Sequence, residues 1–514
     1  MSHAGYSPAA GKRVAVVIAL IVLGYAASLG LGWPQHGTEL VVHAHASSAA
    51  SPAPPAPHFI WILPFAILLG CIAILPLLPA TQHWWENNLH RFYVAAGLGL
   101  ITLLYYLTVH GAKVDGHWPA HHVVEPSASG WQWPLAWTIF SNAIFQEYVP
   151  FIVLLFSLYT ISGGIRIEGN LPARPLVNTT FLAVGGLLAS LIGTTGAAML
   201  LIRPLLETNR ERKHVVHTVV LFIFIVCNCG GCLLPIGDPP LFLGYLKGVP
   251  FLWTLNLWKE WLFVNGALLM VYFLWDHFYH YPRETTRDIR QDKKTVRRLV
   301  ITGWQFNGPL LLAMVACVAL LDPSKAVPGT HWHPWLYLRE ICQLLLVGIS
   351  LLAGSHLVRR KNHFTYGAIV EVAALFLGIF LCMQPALQIL HVHGPQLGLT
   401  APARFYWATG SLSAVLDNAP TYLVFFETAK TLEGGDLAVE GGKIDSLILT
   451  AISLGAVFMG AMTYIGNGPN FMVKALAEGA GVKMPGFFGY LKYSFTILLP
   501  LLGLTCWLFL LSRD

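Results

Sequence analysis

The sequence predicts an all-α polytopic membrane protein with inverted-topology repeats, two re-entrant hairpins and two broken transmembrane helices. Three observations carry that expectation. Of the 514 residues, 55% are hydrophobic and only 11% charged, with a mean hydropathy of +0.60, a balance that ordinary soluble domains lack. Apolar runs long enough to span a bilayer recur along the whole chain. Two of them are interrupted by one shared pattern: Ile236-Gly-Asp-Pro-Pro-Leu-Phe242 aligns with Ile465-Gly-Asn-Gly-Pro-Asn-Phe471.

The first interruption shows why a continuous helix is excluded. Gly230 and Gly231 stop a helix at low steric cost. Pro235 breaks its hydrogen-bond ladder. Asp238 before Pro239 then reads as an N-cap followed by a proline at the first helical position. Two half-helices meeting around unwound backbone are tolerable in a membrane only where they are buried in protein or line a cavity. Secondary transporters bind their substrates at such breaks.

In chain order, residues 1–58 form an N-terminal helix and an outer loop. The run from Val14 to Trp33 follows Lys12 and Arg13 and reads as a retained helix rather than a signal cleaved near Ala44-His-Ala46. Residues 47–57, rich in Ser, Ala and Pro, read as a flexible loop. The first half, 59–282, holds spans at Phe59–Pro79, Phe92–His110 and Leu135–Ile165. A hairpin over 176–206 follows, broken at Gly193-Thr-Thr-Gly196, then a broken helix over 215–249 and a span from Leu257 to Tyr279. A basic linker, 283–308, carries Arg283, Arg287, Arg290, Lys293, Lys294, Arg297 and Arg298. The second half, 309–514, runs through Pro309–Leu321, Trp335–Leu357 and Phe364–Leu390. It continues to a hairpin over 405–426, broken at Leu416-Asp-Asn-Ala-Pro-Thr421, a broken helix over 447–476 and a final span, Phe487–Leu511.

The net charge of +6 is gathered in short loops, so it reports topology and not nucleic-acid binding. With the N-terminus inside, the basic loops around Arg91, Arg166 to Arg174, Arg210 to Lys213, the linker and Arg359 to Lys361 all fall inside. The acidic 427–445 loop and the C-terminus then fall outside, and the two halves run in opposite directions. The map gives about eleven crossings and two hairpins in the inner (plasma) membrane. Eight scattered cysteines form no disulfide framework.

Glu147, Asp238, Glu371 and Asp417 are carboxylates inside apolar segments. An ionisable group there costs about 2.5–3.5 kcal/mol on insertion scales, which makes each a candidate for proton coupling or cation binding. The blander readings are an N-cap for Asp238, a turn residue for Asp417 or Asn418, and structural hydrogen bonding for Glu147 and Glu371. Thr194, Thr195, Asn228, Asn418, Thr421, Thr463, Asn467 and Asn470 supply neutral oxygens at the breaks. Together with freed backbone carbonyls these suit a hard cation, sodium first. Cys227, Cys229 and Cys232 read as small-residue packing rather than a soft-metal site. The histidines of the outer loops, such as His117, His121, His331 and His391, read as solvated.

The Ile-Gly-Asp-Pro-Pro break, the Asp-Asn-Ala-Pro-Thr tip and the Ile-Gly-Asn-Gly-Pro-Asn break resemble the ion transporter superfamily, over roughly 59–511. Within it the chain is most similar to the NhaD-type sodium/proton antiporters and the citrate-transport-like branch. That resemblance implies a homodimer with scaffold and transport domains, an elevator-like motion, and cation sites at the hairpin tips and broken helices. One departure counts against a dicarboxylate substrate: the symporters' Ser-Asn-Thr hairpin signature is absent, and the tips read Gly-Thr-Thr-Gly and Asp-Asn-Ala-Pro-Thr. The expectation is therefore a sodium/proton antiporter, with a carrier of citrate or another carboxylate, coupled to sodium or protons, as the alternative. Its partners are the lipid bilayer and a small ion or carboxylate, with no nucleic acid. No enzyme activity or cofactor is expected beyond the transported or coupling sodium and protons. A membrane redox or metal enzyme built on the cysteines is the remote third reading.

Overall fold

The computed structural model describes residues 7–46, 55–76, 78–128 and 130–511. Residues 47–54, most of the expected flexible loop, lie outside the described residues. The chain is mostly helical, and seven of the described helices are long and apolar enough to cross a membrane. They are Pro8–Gly30, Asn88–Thr108, Trp133–Ser162, Pro175–Ile192, Phe251–Arg283, Gly367–Leu397 and Phe487–Leu511. Phe59–Ile74, Val216–Cys232, Trp304–Leu320 and Ser446–Met462 are shorter apolar helices. The protein is a multi-pass membrane protein.

Two features differ from the expected pattern. Residues Trp33–Ala46, expected as loop, form a helix after Gly32, whose φ of +78° suits glycine at the join. Among the described residues, three small antiparallel sheets also interrupt the all-α pattern: Val114–Gly116 with His122–Val124, Arg166–Asn170 with Arg297–Thr302, and Leu437–Val439 with Gly442–Ile444. The middle one was hidden in the basic linker. Leu299, Val300 and Ile301 give that stretch β-propensity, and it pairs Arg166 with Thr302, Ile167 with Ile301 and Glu168 with Val300.

The chain divides into two compact units, and each draws on both sequence halves. The first comprises Met1–Ile161, Pro309–Gly398 and Glu427–Ile444. Its main contact joins Asn88–Thr108 to Gly367–His393, where Gly378 lies so close to the other helix that a Cβ would meet Ala95 O at 2.5 Å. Glu371 pairs with Arg91 at 2.8 Å within this unit. Glu147 is buried on a π-helical segment, Asn142–Tyr148, and accepts a long 3.5 Å hydrogen bond from Gln384.

The second unit comprises Ser162–Gly308, Leu399–Phe426 and Asp445–Asp514. Pro175–Ile192 packs against Thr194–Thr208 across Gly193, whose φ of +81° only glycine adopts without strain. Pro402–Ser413 leads through a short break into Asn418–Lys430. The helix Val216–Ile225 stops before two short 3₁₀ turns and resumes at Pro239–Leu246. Ser446–Met459 likewise stops and resumes at Gly468–Gly479.

Candidate functional site

The two interruptions in the second unit are built alike. Asp238 and Asn467 each stand just before a resuming helix, with extended backbone at φ −141° and −153°. In the first loop a Cβ on Gly231 would meet Gly237 O at 3.1 Å; in the second, one on Gly460 would meet Gly466 O at 3.3 Å. Any side chain at Gly466 would strike Gly460 O at 2.6 Å. Each loop thus folds back on itself where only glycine fits. That fold turns Asp238 and Asn467 toward neighbouring side chains.

The Asp238 carboxylate is 1% exposed and does not cap its helix. It accepts instead from three side chains, all neutral. Thr194 Oγ1 donates to Oδ1 at 2.9 Å, Asn418 Nδ2 to Oδ2 at 2.6 Å, and Asn467 Nδ2 to Oδ1 at 3.2 Å. The donors come from the tips of both helical pairs and from the second interruption. Asp238 holds the N-cap position before Pro239 as expected, but its side chain makes no capping bond: Pro240 has no amide to offer, and the Leu241 amide bonds Asp238 O at 3.1 Å.

A second ring of amides fixes the first. Asn228 Nδ2 donates to Asn470 Oδ1 at 2.8 Å and to Ile223 O at 2.9 Å. Asn467 Nδ2 also reaches Cys227 O at 3.1 Å and Asn228 Oδ1 at 3.2 Å. Asn470 Nδ2 donates to Gly460 O and Thr463 O, at 2.9 and 3.0 Å. Thr463 Oγ1 donates to Ala414 O at 2.6 Å and accepts from the amides of Ile465 and Gly466. Freed backbone carbonyls and loop amides are thus satisfied by side chains, as buried polar groups must be.

Not every candidate joins this network. Asp417 is half-buried, and its Oδ1 accepts from Ala419 N at 3.2 Å, a turn at the start of the next helix. Thr421 Oγ1 donates to Asp417 O at 3.0 Å. The charged Asp of the tip is therefore held locally, while its neighbour Asn418 reaches Asp238. Thr195 is half-buried beside Thr194 and takes no part. Glu147 and Glu371 belong to the first unit, and Glu371 is answered by Arg91.

Several participants escaped the sequence reading. Ser190 Oγ donates to Gly230 O at 2.6 Å and accepts from Leu233 N at 3.1 Å. Ser413 Oγ donates to Ala456 O at 2.7 Å. Each serine lies about one helical turn before a break, which is the signal that would have found it. Trp261 Nε1 and Asn265 Nδ2, both on the helix Trp258–Trp275, bond Gly230 O and Cys229 O. Cys227 and Cys229 take part through their backbone carbonyls, and Cys227, Cys229 and Cys232 are buried free thiols.

The donor set suits a hard cation. Asn418 Oδ1 is buried and has no hydrogen-bond partner among the described residues, while the amide nitrogen of the same side chain is bonded to Asp238. No lysine, arginine or histidine bonds the carboxylate, so its charge has no internal counter-ion among the described residues. A carboxylate, a hydroxyl and an unsatisfied amide oxygen are oxygen ligands that sodium accepts.

A protein-family model described as "Putative citrate transport" matches residues 56–510. The chain belongs to that citrate-transport family. Membership makes it a membrane transporter rather than an enzyme. It also reverses the expected ranking, because the family's description favours the carboxylate carrier over sodium/proton antiport. No curated protein matches the chain.

Proposed function

We propose that this transporter carries citrate or a similar carboxylate, driven by a cation that binds at Asp238. Membership of the family supports the substrate class. The observation that carries the coupling is the buried Asp238 carboxylate ringed by Thr194, Asn418 and Asn467, with no positive side chain bonded to it among the described residues. A buried carboxylate without a counter-charge is costly. A bound sodium ion, or a proton on the carboxylate, removes that cost. It also removes the repulsion that an anionic substrate would meet. The substrate then binds well only to the cation-loaded protein, and that order is the coupling.

The anion's own contact is assigned by the same reasoning. Pro239 and Pro240 deprive the helix after Asp238 of its first two amide donors. Thr194–Thr208 and Gly468–Gly479 keep theirs, apart from Pro469, so their N-terminal ends are the places for a substrate carboxylate. The matched glycine contacts at Gly231 and Gly237, and at Gly460 and Gly466, support an inverted repeat of hairpin and broken helix. Thr194 and Asn418 would then be equivalent tips of two re-entrant hairpins. The basic linker would lie in the cytoplasm and the 427–445 loop outside. Single cysteines in the two loops should label with an impermeant maleimide from opposite faces; labelling from one face would rule out the inverted arrangement.

Sodium/proton antiport without an organic substrate remains the second reading, favoured by the lack of any basic side chain on Asp238. Reconstitution separates the two. Labelled citrate should enter proteoliposomes only under an inward sodium or proton gradient. Sodium-driven alkalinisation of the lumen without citrate would support antiport. No citrate uptake under any gradient would refute the carboxylate reading.

A further inference from the structure

The linker Arg283 to Gly303 begins where the span Phe251–Arg283 ends and stops at the apolar helix Trp304–Leu320. Both ends of this segment are therefore tied to the membrane. Between them lies a short helix, Thr286–Thr295, followed by the strand Arg297–Thr302.

The helix sorts its charges. Asp292 is buried, and both its carboxylate oxygens accept from Ala173 N, at 3.3 and 3.1 Å. Asp288 pairs with Lys213 at 3.4 Å. These two acids lie four residues apart, on one face. Just before the helix, Glu284 is buried and accepts from the amides of Lys213 and His214 at 3.1 and 3.0 Å. The strand pairs with Arg166–Asn170. Every acidic group of the segment is thus spent on pinning it to the second unit.

Five described basic groups of the segment are instead left to its exposed surface. Arg283, Arg287, Lys294, Arg297 and Arg298 are all exposed. None of Arg287, Lys294, Arg297 and Arg298 has a carboxylate partner among the described residues, and Arg283 lies over the ring of Tyr279 at 3.6 Å. Large apolar side chains are exposed beside them: Phe278, Tyr279, Val300, Ile301 and Trp304. Exposed aromatic residues next to unpaired cations at the end of a span match the headgroup layer of a bilayer.

We infer that this face is a docking surface for anionic phospholipid headgroups, with Arg287, Lys294, Arg297 and Arg298 as the phosphate-binding cations. The occupant is lipid of the surrounding membrane, because the segment is anchored at both ends to membrane helices and carries apolar side chains at its edge. The linker thus fastens the second unit to one charged leaflet.

The test uses the full-length purified protein. Its thermal midpoint and lipid binding are measured with phosphatidylglycerol, with phosphatidylcholine, and with soluble glycerol phosphate. Phosphatidylglycerol should raise the midpoint, phosphatidylcholine should not, and added salt should erase the difference. The single substitutions R287Q, K294Q, R297Q and R298Q should each weaken phosphatidylglycerol binding about five-fold. K361Q, at an exposed lysine elsewhere, should leave it unchanged. Equal binding by wild type and the quadruple glutamine variant would overturn the proposal. So would an equal response to glycerol phosphate, which would make this a soluble-phosphate site. If the quadruple variant fails to fold, the single variants decide by the same criterion.

Discussion

Two buried acids of the second unit are treated in opposite ways. Asp276 is 0% exposed, and Arg212 grips it with both terminal guanidinium nitrogens, Nη1 at 2.9 Å. His217 Nε2 lies 3.1 Å from its Oδ1, and Tyr272 donates to Oδ2 at 3.3 Å. Glu284 lies 3.6 Å from Arg212 Nε. Asp238 is as deeply buried, yet receives one hydroxyl and two amides. The first acid is neutralised by the protein. The second has only neutral hydrogen-bond donors, so when ionised its charge meets no basic side chain among the described residues. On the proposed reading, a charge that the fold does not cancel is cancelled by a cation or proton that comes and goes, and that would set a coupling site apart from a structural one.

Removing the charge at each place should separate the two roles. Asp238→Asn keeps the volume, and no described cation is left unpaired. It should insert and melt like wild type and reduce gradient-driven uptake to background. A wild-type uptake rate in proteoliposomes would break the comparison. Asp276→Asn leaves buried Arg212 with only its longer pair to Glu284 and should cost up to about 3–5 kcal/mol. Its signature is a large fall in thermal midpoint and yield, and an unchanged midpoint would deny Asp276 its structural role.

Smaller effects sharpen the contrast. Thr194→Val deletes one donor to Asp238 and should weaken cation dependence about ten-fold, since a hydrogen bond to a charged group is worth about 1.5–3 kcal/mol. The concentration of driving cation needed for half-maximal uptake reports it, and no change would remove Thr194 from the site. Glu371→Gln should matter least. Its pair with Arg91 has a carboxylate side chain 41% exposed, so the expected loss is below about 1 kcal/mol. A fall in uptake as deep as that of Asp238→Asn would move the coupling acid into the first unit.

The interruptions were legible because their cause is local. Glycine, proline and asparagine stop helices by backbone sterics and side-chain competition, and Gly193, Pro235, Asp238 and Asn467 all stand at observed breaks. The network around Asp238 was legible as a set of residues but not as a set of contacts. Asn418 and Asp238 are 180 residues apart, and only tertiary packing decides that Asn418, and not Asp417, makes that contact. Asp276 is not distinguished in the sequence: the end of its span is rich in His and Tyr, and Arg212, which neutralises it, stands in a loop 64 residues upstream. The strand Arg297–Thr302 was masked by its own arginines, since a charge run outweighs a three-residue β signal.

The central claim is that Asp238 carries an uncompensated charge which a cation neutralises. The most direct measurement is equilibrium binding of radioactive sodium to purified wild-type protein and to Asp238→Asn, at matched folding and across pH. Wild type should bind saturably, with affinity falling as protons compete at lower pH, and Asp238→Asn should bind none. Saturable sodium binding by Asp238→Asn with wild-type affinity and pH dependence would contradict the account.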